Sequence, residues 1–328
     1  MSRQQRRALD RASGKPHRRS SSSPASPWRV VSLAGVLVLV AGGWFFWDWI
    51  RNQPPTREGA PSWSRDGEHL VYYAEQANGK ADLFVMDRDG VPVRQLTATP
   101  GADEGSPAFS PDGELIAFDS DEHGNFDILV MPNAEGGTRR RLTTHAGRDL
   151  APAWSPDGTH IVFMSDRDSR PEFDIYRVRA DGSNVERLTK GATHWFPQYS
   201  PDGTRLAMHV WRDVHVLTLH SKQLRRLTTD PLNGMYPTWS SDGQRLAFMS
   251  WRNGPTELFI MNADGTDQQP LVTMPRGSAI DPRWSPDGQR IAFVHVPEAT
   301  VHDQQEAEQT RLIYTVDLSS GRMRRLSR

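Results

Sequence analysis

Cysteine is absent from this chain of 328 residues, which excludes disulfides and thiolate chemistry while leaving the compartment open. Catalytic signatures are missing too. There is no G-x-S-x-G nucleophile elbow, no Walker A loop, no dinucleotide fingerprint and no H-E-x-x-H pair among the eleven histidines. An overall surplus of one charge sign is also lacking, the formal net charge being −1. That balance hides an uneven distribution. Residues 1–29 hold eight Lys and Arg against the single acid Asp10, so the other 299 residues carry 31 basic and 39 acidic groups, a net of −8. An acidic body excludes nucleic acid as a partner of the main domain, because neutralising phosphates requires a basic face.

What is present begins with the basic stretch and "SSSSPASP" at 20–27, which has nothing to bury and reads as a disordered tail over 1–28. "VVSLAGVLVLVAGGWFFW" then runs from Val30 to Trp47, 18 residues without a charge. Extended by Trp49 and Ile50, it is long enough to cross the hydrocarbon layer of a bilayer. Trp28 on one side and Trp44, Trp47 and Trp49 on the other match aromatic belts at membrane interfaces. A buried core helix would show a polar face. A cleaved signal peptide would be followed by a polar mature start, whereas Ala41-Gly42-Gly43 is followed by more apolar sequence. A lipoprotein needs a cysteine. The reading is therefore an uncleaved transmembrane signal anchor over 29–50, joined by a linker at 51–60 to everything downstream. Fully extended, ten linker residues reach roughly 35 Å. The positive-inside rule keeps the Arg-rich tail in the cytoplasm and sends the rest to the extracytoplasmic, periplasmic side of the cytoplasmic membrane.

From residue 61 onward one phrase recurs six times: "PSWSRDG", "PAFSPDG", "PAWSPDG", "PQYSPDG", "PTWSSDG" and "PRWSPDG". Its aromatic falls at Trp63, Phe109, Trp154, Tyr199, Trp239 and Trp284, at intervals of 40 to 46 residues, the period of a propeller blade. Each copy is followed by two short apolar runs, such as "HIVFMS" and "DIYRVR", and by a third ending in "LT" or a close variant. These β-branched and aromatic runs, separated by Gly, Asp, Pro and Asn, read as strands joined by tight turns. With the aromatic segment as innermost strand, the pattern predicts an all-β fold over 61–328, a six-bladed β-propeller of four-stranded antiparallel blades. Because the repeats begin at an innermost strand and end at an outermost one, six whole blades are expected, closed without an exchanged strand.

The [WFY]-S-P-D-G-x-x-[IL]-[AV]-F signature with its trailing "LT" resembles the WD40-like PD40 repeat of the TolB propeller family, in six registered copies over about four-fifths of the chain. The resemblance implies the fold and a cell-envelope setting. The chain departs from the family in carrying a tail and an anchor where TolB-type proteins have an N-terminal α/β domain. Prolyl-oligopeptidase-type enzymes also carry propellers with such repeats, but their G-x-S-x-G is absent here.

The repeated phrase itself reads as carpentry. Pro presets the turn's φ, Asp tolerates the next position, Gly supplies φ > 0 and Ser accepts a local N–H. Its aromatic is expected to wedge between blades. Asp66, Asp112, Asp157, Asp202, Asp242 and Asp287 lie one per blade, so no metal is assigned to them. Chemistry is expected on the opposite face, where variable loops connect second to third strands and lead into each innermost strand. Glu58, Glu104, Asp149 and His194, three residues before the Pro of their repeats, are expected at the mouth of the central channel. There they would hold a cation or cationic group, or only line a wet polar channel. Trp195 and Asp281 belong to the same loops. The pairs Trp211-Arg212 and Trp251-Arg252 are of the residue types enriched in binding hot spots. An insertion at 296–310 raises one side of this face, and a shorter fourth-blade loop lowers another.

No cofactor is expected. The reading is a non-enzymatic binding or scaffold module for an envelope protein or peptide. The alternatives are a carbohydrate lyase or hydrolase using Glu104, Asp149 and His194, or a sensor coupled to the tail. The topology is testable: alkaline phosphatase fused at the C-terminus should be active in intact cells. A silent phosphatase alongside a working cytosolic reporter at the same point would overturn it.

Overall fold

A computed structural model of the chain describes residues 57–327, apart from 169, 192, 230–233, 254 and 299–309. The tail and the candidate anchor lie outside the described residues. Twenty-four strands form six sheets of four, each in simple chain order and antiparallel throughout. Blade 1 contains β1 (Glu58–Trp63), β2 (His69–Glu75), β3 (Ala81–Asp87) and β4 (Pro92–Gln95). Blade 2 contains β5 (Glu104–Phe109), β6 (Leu115–Ser120), β7 (Asp127–Pro132) and β8 (Arg140–Arg141). Blade 3 follows with β9 (Asp149–Trp154), β10 (His160–Ser165), β11 (Asp174–Arg179) and β12 (Glu186–Arg187). Blade 4 has β13 (His194–Tyr199), β14 (Arg205–Val210), β15 (Asp213–Thr218) and β16 (Gln223–Arg226). Blade 5 has β17 (Met235–Trp239), β18 (Arg245–Ser250), β19 (Glu257–Asn262) and β20 (Gln269–Val272). Blade 6 has β21 (Ser278–Trp284), β22 (Arg290–Val296), β23 (Leu312–Asp317) and β24 (Met323–Arg325).

The first strand of each blade touches the first strands of both neighbours, β1 meeting β21 to complete the ring. Every sheet is built from one contiguous stretch, so closure uses no exchanged strand, as expected. The seam between blades 6 and 1 is held by a short parallel bridge between Arg57 and Arg311, where Glu58 N–H donates to Arg311 C=O at 3.2 Å. Arg324 reaches across it to Asp89. Gly90 has φ +85° and lies so close to Leu326 C=O that a Cβ would collide with it, so the seam also depends on a missing side chain.

The core is six inter-blade clusters. Trp63 packs with Leu70 and Met86 of its own blade and with Ala292 and Ile313 of blade 6. Phe109, Trp154, Trp239 and Trp284 fill the same position at the next interfaces, with Tyr199 half-buried at the sixth. Indole N–H groups add direction: Trp63, Trp154 and Trp239 donate to Arg283, Ala108 and Gln198 C=O of the preceding blade at 3.2, 3.2 and 3.3 Å. The aromatic of the repeat is thus the inter-blade wedge.

The turn after it closes identically in all six blades. In blade 3, Ser155 Oγ accepts His160 N–H at 2.9 Å and donates to Asp157 Oδ1 at 2.6 Å, while Asp157 Oδ1 also accepts Thr159 N–H at 3.0 Å. Ser155 and these neighbours hold the Asp157 carboxyl down at about 2. The repeat's carboxylates are consumed locally in this way. The trailing "LT" differs from expectation, because in five of the six blades the fourth strand ends before it, β20 alone running on to Val272. Leu142 is buried in the core, and Thr143 Oγ1 accepts Ile128 N–H at 2.9 Å, pinning the end of the blade to its third strand. Thr97, Thr189, Thr228 and Ser327 do the same.

Removing a wedge leaves a cavity at an interface that cannot close without moving a whole sheet. Trp154→Ala should therefore cost about 3–5 kcal/mol in urea unfolding, whereas Phe or Tyr, both used at this position elsewhere in the ring, should recover most of it.

Candidate functional site

Each innermost strand carries a β-bulge at its proline. In β1 the register to β2 shifts between Gly59 and Ser62, and the other five innermost strands shift at the corresponding place. Pro cannot donate to the ladder, so the extra residue is accommodated there. The residue before the Pro takes positive φ in every blade: Ala60 47°, Ser106 46°, Ala151 53°, Phe196 51°, Tyr236 51° and Asp281 52°.

The bulge corrects the expected placement of Glu58, Glu104, Asp149 and His194. One extra residue flips all preceding side chains to the other face of the strand. They therefore share the inter-blade face of the aromatic wedge and do not reach the channel mouth; all four are buried. Glu104 Oε1 accepts from Thr99 Oγ1 at 2.9 Å and from Arg139 at 2.8 Å. Asp149 takes Arg167 Nη2 on both oxygens, at 2.9 and 2.8 Å. His194 Nδ1 lies 3.4 Å from Asp174, which is also held by Arg187. Burial raises the Glu58 carboxyl to about 7, against the opposing pull of Ser327 and Arg325. These side chains are polar cement between blades.

The channel wall consists instead of the pre-proline residues and those two positions on. Ala60, Ser106, Ala151, Phe196, Asp281 and Arg283 surround a cavity of about 70 Å³. Asp281 and Arg283 form an ion pair at 2.6 Å in it. Phe196 and Tyr236 pack at 4.3 Å between centroids with their rings tilted by 37°, both against the imidazole of His209. The bulge frees a backbone N–H, and buried acceptors of the second strands meet it. Ala151 N–H donates to Asp119 at 2.9 Å, and Tyr236 N–H to His209 Nδ1 at 3.4 Å. Burial pushes His209 down to about 3 and Asp119 up to about 6. Of this ring, sequence reasoning singled out Asp281 alone. The signal for the rest was available, since Ala60, Ser106, Ala151, Phe196 and Tyr236 likewise immediately precede the repeat's Pro.

The loop face has two characters. Over blades 1 to 3 it is ionic: Lys80 bridges Asp103 at 2.6 Å and Asp121 at 3.7 Å, Arg139 meets Glu122 at 2.9 Å, and Arg148 and Arg170 hold Asp166 at 3.0 and 3.4 Å. Over blades 4 and 5 it is aromatic. Trp211 is 61% exposed beside exposed Arg212, at φ 56° in the two-residue connection between β14 and β15. Trp195 is half-buried with its edge toward His209, and Trp251 is half-buried against the blade 5–6 core. Arg252 is not a partner to Trp251 on the surface. Its guanidinium lies over Phe259 at 4.6 Å and reaches Gln268 at 2.9 Å, as Arg167 lies over Tyr176 in blade 3. Among the described residues, no three His, Asp or Glu side chains are grouped to hold a metal ion.

Glu58 generates a pH prediction. Its folded pKa is raised, so its contribution to stability is full below the unfolded value near 4.5 and is lost as pH rises through 7. Glu58→Gln should flatten the fall in stability between pH 5 and 8. At pH 8 the variant should exceed the parent by up to about 3 kcal/mol in denaturant melts.

Comparison with known proteins agrees with this architecture. The family model described as the TolB beta propeller domain matches residues 190–328, and that of the tricorn protease N-terminal beta propeller domain matches 80–209. A protein of Agrobacterium tumefaciens described as TolB superposes with TM-score 0.62 at 20% identity, over 71% of this chain and 83% of that one. TolB of Acinetobacter baumannii gives 0.63 at 21% identity, over 79% of this chain and 63% of that one. An oligogalacturonate lyase in complex with manganese gives 0.57 at 16% identity, over 81% and 76%. At these identities the likeness speaks to the fold alone. Six registered repeats and six four-stranded blades make the described part of this chain a six-bladed β-propeller, and its three C-terminal blades, residues 190–328, match the TolB beta propeller domain.

Proposed function

We propose that this chain is a membrane-anchored, extracytoplasmic binding module of the cell envelope, taking a protein or peptide on its loop face and performing no chemistry. The observation that carries this reading is Trp211. A bulky residue at φ 56° stores strain of about 1–3 kcal/mol, and here it does so to present an indole that is 61% exposed beside an exposed arginine. An exposed Trp beside an exposed Arg has the composition of a binding hot spot. The uncharged run at 30–47 and the basic residues before it support the anchor and its orientation.

A lyase or hydrolase reading has less to work with. Glu104 and Asp149 are each tied to their own arginine in separate blade interfaces, and the channel cavity of about 70 Å³ is small beside the roughly 300 Å³ at which ligand pockets begin.

Trp211→Gly separates binding from folding. Glycine adopts φ > 0 without strain, so stability should hold or rise by up to about 1 kcal/mol. Cross-linking of the full chain in its own membrane should at the same time lose its captured partner at least tenfold. A partner captured equally by parent and variant would place the binding surface elsewhere.

A further inference from the structure

On the turn face, at the seam where blade 6 meets blade 1, lies a cavity of about 370 Å³ lined by Arg88, Arg290, Arg322 and Arg324. Asp317 is the one carboxylate in its wall. One oxygen of that group is already occupied: Oδ1 accepts from the backbone N–H and the hydroxyl of both Ser319 and Ser320, at 2.7 to 3.1 Å, closing the turn between β23 and β24. Two of the arginines have acidic partners at the rim, Arg88 with Glu68 at 2.8 Å and Arg324 with Asp89. Among the described residues, neither Arg290 nor Arg322 forms an ion pair.

Comparison of equivalent repeat positions singles out Arg290. Arg205 and Arg245 occupy the same place in blades 4 and 5, and each lies over the wedge tryptophan of the next blade, Trp239 at 4.6 Å and Trp284 at 5.0 Å. For Arg290 the equivalent ring is Trp63 of blade 1. The described residues hold no such stack there, and the guanidinium lines the cavity instead. The ring-closing blade therefore departs from its own pattern: Arg290 lines the cavity in place of a ring, with Asp287 near enough to attract both it and Arg88 but, among the described residues, in no ion pair with either.

We propose that this cavity is an anion site for a phosphate group carrying two negative charges, bound by Arg290 and Arg322 and flanked by Arg88 and Arg324. Planar guanidinium forks suit phosphate oxygens, which accept paired hydrogen bonds from them. The volume is within the range of small-molecule sites and holds a phosphate with part of whatever bears it. Because Arg88 comes from blade 1 and the other three from blade 6, the bound anion spans the seam and stabilises the closed ring by mass action. A soluble phosphate and a phosphorylated lipid headgroup share this chemistry.

The test uses the full chain in neutral detergent, with thermal unfolding followed by tryptophan fluorescence at constant ionic strength. Sodium pyrophosphate should raise the melting temperature saturably, and acetate should not. R290Q/R322Q should weaken the apparent affinity at least tenfold, whereas Arg140→Gln, outside the cavity, should leave it unchanged. If the double variant folds poorly, Arg322→Gln alone, at the exposed end of the turn before β24, should still cost at least threefold. Short-chain phosphatidic acid in the same assay separates the sources: saturation at lower concentration than pyrophosphate assigns a lipid headgroup, the reverse a soluble phosphate. Equal shifts in parent and double variant, an equal shift with acetate, or no shift with either phosphate probe overturns the site.

Discussion

The propeller depends on one contact made six times, an aromatic side chain driven from the innermost strand of each blade into the sheet before it. A single four-stranded blade cannot bury both of its faces. The wedge solves this by giving each interface a large apolar body at the point where the sheets converge, with an indole N–H in three cases fixing the depth of insertion. The rest is arranged so that this residue arrives correctly: the Ser-Asp clasp turns the chain immediately after it, and the bulge at Pro sets the face of the strand immediately before it.

The wedges, the turns and the blade number were legible because they repeat, and repetition at 40 to 46 residues admits few architectures. The positions of Glu58, Glu104, Asp149 and His194 were not. Counting residues along a strand assumes an unbroken pleat, and a single bulge reverses the answer for every residue upstream. The proline that causes the bulge was in plain view, but its consequence for strand parity depends on the partner strand. Trp251-Arg252 was misread for a related reason. Adjacent residues point to opposite sides, so a tryptophan and an arginine in one loop need not act together, and Arg252 turns back onto Phe248 and Phe259.

Charge in the blade interfaces has a different role from charge on the surface. The buried pairs Asp149–Arg167 and Asp174–Arg187 add little net stability, since desolvation offsets most of their attraction. Losing one partner, however, strands the other in an apolar interface, and since both members of each pair belong to blade 3, the pairs fix the strands and loops of that blade against one another. Apolar wedges alone would tolerate sliding; the polar contacts that cross between blades, Lys80 with Asp121 and His194 with Asp174, resist it. Blades 5 and 6 have Gly234 and Ala279 where the four earlier blades have acids or histidine.

The fourth strands are the shortest elements, only two residues each in β8 and β12. Six outer strands form the rim of the ring, and each leaves one row of backbone N–H and C=O groups unpaired by its own sheet. A long, flat, apolar rim would invite a second molecule to add its edge, and six such edges on one particle would make a network. Here the rim strands read "PVRQ", "RR", "ER", "QLRR", "QPLV" and "MRR". Brevity, arginine and proline leave too little regular edge for another strand to extend. An assembly with six sheet edges facing outward is in this way kept from aggregating through them.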